Sequence, residues 1–544
     1  MPSPLNPPAS VLKGIWPLAG LMALYLLLTL SYLNRPGYVH DTLQNEVQSC
    51  RWAEQLKAGE WRDLLSMGFG KTRLYHGNIT SYLMFPAFYA IGRSWMLVRV
   101  WPIACGLLTL LMTFLFVRRV YGETVAHGTV FLMVIHSPLI IGFKVGFYQV
   151  SSMILYSTGC LYLLSRWWDR DRFIYLWGGL FLLSLGLGSR LWFSWVIFGI
   201  VVVGLVWSPS IWRKFNLRDW RQRWKFIGTV VSAFLPLAVL LLRNSQRLVN
   251  QVLYLSPQGK AGGAPADVLA VLRDMLSGRY FFDYCFHSAG DPSAYAGNGI
   301  YPWVVVLAVL WAVFRGVKSV ARPEEMFRWL SPPAFTGALV LAAVLSFKCD
   351  PHHVFVIYPF PQLLLAMMGA DLVAYLRRGR KWFIPIALFF VVLLASELVS
   401  LGHYFVRIHT VGGMRRSSMA VYELARWIRQ EYGRDPAIPI VSTQEVLENL
   451  FFLAPEVPVI RDWYYIMEDD GRKIKPSGTI TFIRPGFFTH GDVDPLLVWQ
   501  RQHGRRFREI AAFHDRDGYA MFNVYQWDRE ASDPRYNGSI WPSG

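Results

Sequence analysis

The sequence predicts a polytopic α-helical membrane protein with about eleven spans, followed by a C-terminal soluble α/β domain. Three observations indicate this fold class. Hydrophobic residues make up 53% of the 544 residues and aromatic residues 16%, which is too apolar for a soluble protein of this size. Apolar segments of roughly 20 residues, the length that crosses the hydrocarbon core, recur as far as residue 404. Beyond that point, short helix-like and strand-like patterns follow one another.

The basic residues of the chain indicate how its spans are oriented in the membrane. The net charge is +18, but the lysines and arginines fall in short clusters between apolar segments, where they orient spans. Nucleic acid is therefore excluded as a partner, and membrane lipids are the expected surroundings. The five cysteines are scattered, so the sequence has neither a disulfide framework nor a CxxC metal site.

The predicted spans begin close to the N-terminus. Residues 12–33 lack the small-residue cleavage site of a signal sequence, so we interpret them as a retained span. The stretch 174–207 is nearly continuous, and residues 186–190 divide it into two short spans. Residues 79–92 are apolar but short, and we expect them to lie in the interface. The predicted spans are 12–33, 98–117, 124–143, 150–166, 174–189, 191–207, 226–243, 301–317, 329–347, 352–375 and 382–404.

The positive-inside rule orients these spans. If they alternate, one side receives all of the basic clusters, and that side is the cytoplasm. The clusters are Arg118–Arg119, Arg166–Arg172, Arg213–Lys225, Arg315–Arg328 and Arg377–Lys381. The other side receives the first outer loop (34–97), a large outer loop (244–300) and the C-terminus. We expect a bacterial inner membrane, with the C-terminal domain in the periplasm.

The chain then divides into three parts. A membrane domain covers residues 1–404, a soluble α/β domain 405–528, and a polar tail 529–544. The soluble domain is predicted to contain helices over 417–432 and 496–502 and strands over 438–442, 479–483 and 519–527. The sequence has no nucleotide-binding glycine loop and no Walker motif, which argues against a transporter driven by ATP hydrolysis.

Asp41 lies where the first span meets water. An ionisable residue at a membrane boundary is a candidate for function. A second interpretation stands beside this one, because Asp41 with Gln44 fits a capping box that opens an amphipathic helix ending near Gly59. The local sequence leaves both interpretations open.

The predicted topology gathers further polar residues on the outward face. Carboxylates that transfer protons and cations that bind phosphate are the two ingredients of a transfer from a phosphate-linked donor. These residues are Asp41, Glu46, His76, Lys144, Arg190, Lys348, Asp350, His352 and His353.

This layout resembles the GT-C membrane glycosyltransferases. It is most similar to the branch that holds the protein O-mannosyltransferases and the lipid A aminoarabinose transferase. Asp41 stands where that family has its catalytic carboxylate, as Asp-Thr instead of Asp-Glu. His76 in Tyr75-His76-Gly77 is similar to the family's residue ahead of a Pro-rich helix. Lys144, Arg190 and Lys348 match basic residues at outer span ends.

The resemblance implies an inverting glycosyltransferase. A sugar would move from a polyprenyl-phosphate donor to a lipid, glycan or protein acceptor on the outer face, with Asp41 as the base. The implied lipid-phosphate ligands are Lys144, Arg190, Lys348, His352 and His353. The implied acceptor or donor contacts are His40, Glu46, His76 and Gln149.

Two departures from the family pattern bear on metals and phosphate. Gln149 stands where the family often has a second acid, which argues against a carboxylate pair holding a metal, so no cofactor is expected. His352 and His353 replace the family's Tyr or Arg-Tyr, which leaves the phosphate contacts open. A metal site at Asp350-Pro351-His352-His353 is an alternative, because Asp and His are metal ligands.

Three alternative interpretations of these residues stay open. Lys144, Arg190 and Lys348 also fit interface anchors whose long side chains reach water. A lipid or solute transporter would use the same charges to line a path, but the predicted spans are nearly free of charge, whereas transporters place ionisable residues near the midplane. A family member that has lost catalysis and acts as a scaffold is the third alternative, which Gln149 keeps open.

Overall fold

A computed structural model describes most of the chain. The described residues are 9–35, 37, 43–60, 79–146, 150–206, 219–243, 265–286, 297–345, 351–379, 384–413, 418–434, 440–442, 444–457, 459–462, 480–485, 508–516, 518 and 520–527. Within them, residues 9–413 are helical and residues 418–527 form a mixed α/β unit.

The helical part consists of long apolar helices and a few short ones. They are α1 (Ala9–Leu30), α2 (Gln44–Lys57), α3 (Ile79–Ile91), α4 (Trp95–Tyr121), α5 (Glu123–Ile135), α6 (Ser137–Val145), α7 (Val150–Arg170), α8 (Phe173–Ser189), α9 (Ser194–Val206), α10 (Trp220–Arg243), α11 (Pro265–Leu276), α12 (Arg279–Phe286), α13 (Ile300–Lys318), α14 (Pro323–Leu345), α15 (Pro351–Val354), α16 (Phe360–Arg377) and α17 (Ile384–Thr410).

Several of these helices have the length and apolarity of membrane spans. Within the described residues, five qualify singly, and the bent pair α5 and α6 would make a sixth. The five are Trp95–Tyr121, Ile300–Lys318, Pro323–Leu345, Phe355–Arg377 and Ala387–Thr410. Shorter apolar helices occur at Trp16–Leu30, Ile79–Ile91, Phe173–Ser189 and Ser194–Leu205. A mainly helical protein with apolar spans is therefore confirmed, whereas the count of about eleven spans stays a prediction.

The predicted span 124–143 is not one straight helix. It consists of α5 and α6, which meet at His136 with a bend of 65°. His136 has an extended backbone, and Pro138 occupies the first turn of α6, a position where its missing N–H costs nothing. The proline cannot continue the hydrogen-bond ladder of α5. The bend turns α6 towards the end of α1.

Helix α1 packs closely on α4. The Tyr25 hydroxyl donates to the Ile103 carbonyl at 2.9 Å. A Cβ at Gly106 would stand 2.0 Å from the Tyr25 hydroxyl oxygen, so this contact requires glycine. The buried core of the helical part continues from here through α5, α6, α7 and α16. The end of α1, which leads into the segment of Asp41, is thereby held against the core.

The mixed unit is built on a five-stranded sheet. Its elements are α18 (Ala420–Arg434), β1 (Ile440–Ser442), α19 (Gln444–Leu453), β2 (Val459–Asp462), β3 (Ile480–Pro485), β4 (Arg508–His514) and β5 (Ala520–Trp527). The strand order is β2-β1-β3-β5-β4. Strand β1 is parallel to β2 and β3, and β5 is antiparallel to β3 and β4. One face buries an apolar cluster with α18 and α19.

The sequence patterns located part of this unit. Helix α18 and strands β1, β3 and β5 lie within a few residues of their predicted positions, whereas α19, β2 and β4 were missed. The helix predicted over 496–502 lies outside the described residues. Strand β2 is only four residues long, with the sequence Val-Ile-Arg-Asp, which is too short to show a period.

The mixed unit is docked onto the helical part through α19. The Phe452 ring stacks on Phe88 of α3 at 5.9 Å between centroids. Arg93 donates to both carboxylate oxygens of Glu54 at 2.8 and 3.0 Å, and to the carbonyls of Phe451 and Pro455 at 3.3 and 3.1 Å. The ring contact and the hydrogen bonds of Arg93 together hold α19 beside α2.

Candidate functional site

The site region begins where α2 starts. The helix begins at Gln44, and its N-cap is Leu43, which provides no side-chain hydrogen bond. The buried Leu43 anchors this end in the apolar cluster between α2, α3 and α19. Asp41 and His40 lie outside the described residues, so the predicted capping box of Asp41 and Gln44 stays a prediction.

Glu46 is the first site residue that the structure describes. Its side chain is buried on α2 at 6% exposure. Burial, with a contribution from the charge of Glu448, raises the pKa of this carboxyl from 4.5 to about 8, against an opposing effect of Arg190. Glu46 is thus protonated at neutral pH and lies within electrostatic reach of both residues. Its Oε2 atom has no hydrogen-bond partner within the described part of the chain.

Arg190 joins Glu46 from the end of α8. It caps the helix in an extended conformation, and its backbone N–H donates to the Gly186 carbonyl at 3.0 Å. A 3₁₀ turn, Leu191–Phe193, then leads into α9. The side chain is only 1% exposed, so the interface-anchor interpretation, which needs a charged head in water, does not fit it. A buried guanidinium near a neutral carboxyl can bind an anion.

Lys144 lies at the end of α6 and is fully buried. Its Nζ donates to the Thr29 carbonyl at 3.0 Å and to the Ser31 carbonyl. These carbonyls belong to the last turn of α1 and the residues after it, where backbone acceptors lack helical partners. Lys144 therefore ties α6 to the end of the first span, and the bend at His136 brings it there.

Arg99 is a further buried cation, and the sequence analysis missed it. It lies in the second turn of α4, and its charge acts on Lys144. Its Nη2 donates to the hydroxyl of Tyr422 on α18 at 3.4 Å, and its guanidinium lies 5.1 Å from the Trp95 ring centroid. Burial raises the pKa of Tyr422, and the charge of Arg99 opposes this rise. The available signal was an arginine inside the apolar start of a predicted span.

His353 lies near the turn that follows Arg190. Its buried ring is 5.2 Å from Trp192 and 6.1 Å from Trp195, measured between centroids. The backbone of His352 belongs to α15, and its side chain is outside the described set. His76, Gln149, Lys348 and Asp350 also lie outside the described residues. The structure therefore brings Glu46 and Arg190 together and places His353 near the turn after Arg190.

Comparisons with known proteins were made for sequence and for structure. No family model matches the sequence, and no curated protein matches it. ArnT from Cupriavidus metallidurans in the apo state superposes with a TM-score of 0.58 at 12% identity, covering 93% of this chain and 97% of ArnT. ArnT bound to undecaprenyl phosphate gives 0.56 with the same identity and coverage. The chain has the GT-C fold.

This finding confirms the GT-C resemblance predicted from the sequence. ArnT is the lipid A aminoarabinose transferase, which is the branch the sequence indicated. The archaeal oligosaccharyltransferase AglB from Archaeoglobus fulgidus, in complex with an inhibitory peptide and a dolichol-phosphate, gives 0.47 at 12% identity over 96% of this chain and 75% of AglB. The GT-C assignment rests on the likeness to ArnT.

The core of this GT-C chain also contains a polar network that the sequence analysis missed. His136 Nδ1 lies 2.8 Å from Glu397 Oε2, and its Nε2 lies 2.8 Å from the Tyr358 hydroxyl. The Asn298 amide donates to Glu397 Oε1 at 2.6 Å, and the Tyr301 ring stacks on His136 at 4.3 Å. Glu397 lies in the predicted span 382–404 and is one of the few ionisable residues in spans that the sequence analysis described as nearly free of charge. Sequence could not pair His136 with Glu397, because 261 positions separate them.

Metal-binding groups were sought among the same side chains. Within the described ranges, no three His, Cys, Asp or Glu residues lie close enough together to hold a metal ion. Asp350 and Asp41 fall outside those ranges.

Proposed function

We propose that this chain is an inverting glycosyltransferase that moves a sugar from a polyprenyl-phosphate donor to an acceptor on the outer face of the membrane. One observation carries the proposal. In a chain with the GT-C fold, Glu46 follows Asp41 by five residues and is buried within electrostatic reach of the buried Arg190. The C-terminal α/β unit, docked beside α2, would lie on that same outer face.

The proposed reaction needs a base and an anion site. Asp41 takes the proton of an acceptor hydroxyl, whose oxygen attacks the anomeric carbon from the side opposite the phosphate. The bond from that carbon to the phosphate oxygen breaks, and the sugar is inverted. Buried cations stabilise the phosphate that leaves, and in a dry site they do so strongly. The donor class is supported by the ArnT structure, which is bound to undecaprenyl phosphate.

The buried cations should not contribute equally to binding of the donor phosphate. Arg190 is near Glu46, whereas Lys144 is occupied with the carbonyls of Thr29 and Ser31. Substituting Lys144 would therefore also release the end of α1. Arg190 and Lys348 are the better positions at which to test phosphate binding.

Arg190→Ala and Lys348→Ala should each weaken binding of undecaprenyl phosphate by roughly 10- to 100-fold, the effect of one charge-assisted hydrogen bond. The measurement is a titration of purified protein in nanodiscs. Arg322→Ala is the matched control, because Arg322 is exposed and its ion pair is with Glu325, three residues on. Unchanged binding in the Arg190→Ala/Lys348→Ala double variant would reduce both residues to structural roles.

Chelation of divalent metal ions should leave the rate of sugar transfer unchanged. Gln149 removes the second acid that a divalent ion would use in this family's pattern. Turnover is measured in EDTA and again after addition of Mg²⁺ or Mn²⁺. Activity that is lost in EDTA and restored by either ion would point to Asp41 or Asp350 as a ligand.

One observation favours a second candidate, transport of a lipid or solute. A buried His–Glu pair at a break in a span is a feature that transporters share. Reconstituted vesicles separate the two functions. A transporter moves its cargo across the bilayer without forming a new glycosidic bond, whereas the proposed enzyme forms that bond without moving cargo.

A further inference from the structure

Helix α19 brings polar side chains of the C-terminal unit to the buried face of α2. Glu448 and Asn449 are both buried. Phe452, one turn further on, stacks on Phe88, and Arg93 holds the carbonyls that end the helix. These contacts fix Glu448 where its charge acts on Glu46. Burial of two carboxyls within electrostatic reach of each other costs free energy, which a bound polar ligand would offset.

The facing side of α2 carries two unsatisfied groups. Glu46 and Ser49 are three residues apart and therefore lie on one helix face. Both side chains are more than nine-tenths buried. The Oε2 atom of Glu46 and the hydroxyl of Ser49 make no hydrogen bond to any residue that the structure describes. Buried polar atoms are nearly always hydrogen-bonded, so two such atoms on one face call for a polar ligand.

We propose that Glu46, Ser49 and Glu448 form a subsite for the hydroxyl groups of the transferred sugar, and that the C-terminal unit supplies one of these three residues. This inference rests on the proposed function and adds to it the residues that hold the sugar. Glu448 is then a specificity-determining residue contributed from outside the helical part of the chain.

The chemistry of the three groups suits a neutral sugar. The charge of Glu448 acts on Glu46, and two buried carboxyls in that relation do not both ionise readily, so we assign one proton to the pair. The protonated carboxyl donates and the ionised one accepts, and a sugar hydroxyl both accepts and donates. The pair then carries one negative charge, which the neighbouring Arg190 balances. A neutral ring with several hydroxyls fits this balance better than a second phosphate or an amine.

The test compares lipids with and without a sugar. Purified full-length protein in nanodiscs is titrated with undecaprenyl phosphate and with undecaprenyl phosphates that carry glucose, mannose or xylose. The wild type should bind at least one sugar-bearing lipid more tightly than undecaprenyl phosphate. Glu448→Ala should weaken binding of that lipid by roughly 10- to 100-fold and leave binding of undecaprenyl phosphate unchanged.

Two variants distinguish a loss of sugar binding from misfolding of the protein. Glu448→Gln keeps the shape of the side chain and should show a smaller loss in the same direction, at wild-type thermal stability. Glu423→Gln, at an exposed position on α18, is the matched control and should bind both lipids as the wild type does.

Three outcomes would contradict the subsite. Equal weakening for both kinds of lipid in Glu448→Ala would mean that Glu448 only holds the C-terminal unit in place. A wild type that binds undecaprenyl phosphate as tightly as every sugar-bearing lipid would leave no sugar subsite to assign. A wild type that binds none of the lipids would remove the proposed function, and the subsite with it, which separates that failure from the first two.

Discussion

Asp41→Asn should lower the rate of sugar transfer by about a hundredfold to ten-thousandfold, because an amide cannot act as the general base. Thermal stability should stay at the wild-type value. Asp41→Ala should be equally inactive, and slightly less stable, because alanine cannot replace the cap that Asp41 is predicted to provide. The rate is measured from the initial formation of glycosylated product, and stability from the unfolding of purified protein in detergent.

The matched control for this prediction is Asp219→Asn. Asp219 Oδ1 accepts the backbone N–H of Arg221 at 2.9 Å at the start of α10, where asparagine caps as well as aspartate does. This variant should transfer sugar at the wild-type rate. Near-normal transfer by Asp41→Asn would contradict the role of Asp41 as base and favour the transporter or scaffold alternative.

His136→Leu should lower the free energy of unfolding by about 1–3 kcal/mol, because it removes a buried hydrogen-bond partner of Glu397. Tyr358 also loses a hydrogen bond in this variant. The measurement is thermal or denaturant unfolding of the purified protein. Because α6 leaves the helix break at His136 and ends at Lys144, the contact of Lys144 with the end of α1 should loosen as well.

Two further variants isolate the buried pair. His136→Gln keeps a side chain that can hydrogen-bond to Glu397 and should lose less stability than His136→Leu. His127→Leu, on α5, removes a half-buried ring whose Nδ1 lies 3.0 Å from the Glu123 carbonyl, and it should cost less than His136→Leu. Equal stability of the His136→Leu and His127→Leu variants would show that the His136–Glu397 pair contributes nothing to the fold.

The sequence predicted those parts of the fold that depend on local pattern. Long apolar segments appear as the apolar helices of the structure, and alternation placed β5 close to its observed start at Ala520. The bend at His136 was missed because apolarity is continuous over 124–143, although Pro138 was a visible signal. Burial of Leu43 against α3 and α19 is likewise a tertiary effect that the local pattern does not record.

The candidate site also contains some residues that the sequence predicted and others that it could not. Arg190 and Glu46 were chosen because predicted topology puts both on the outward face, and the structure places them within electrostatic reach. Glu448 could not be chosen, since it follows Glu46 by some four hundred positions and belongs to a helix the patterns did not reveal. Arg99 was missed because a single arginine near the end of a span is normally interpreted as an anchor at the membrane interface.

Formation of a new glycosidic bond is the central claim, and mass spectrometry of envelope lipids, glycans and glycoproteins tests it most directly. Cells that produce the wild-type chain are compared with cells that lack it and with cells that produce Asp41→Asn at the same level. We expect one envelope molecule to carry an added sugar mass only in the wild-type cells. Identical envelope molecules in all three, or a sugar mass that persists with Asp41→Asn, would contradict the assignment of this chain as a glycosyltransferase that uses Asp41.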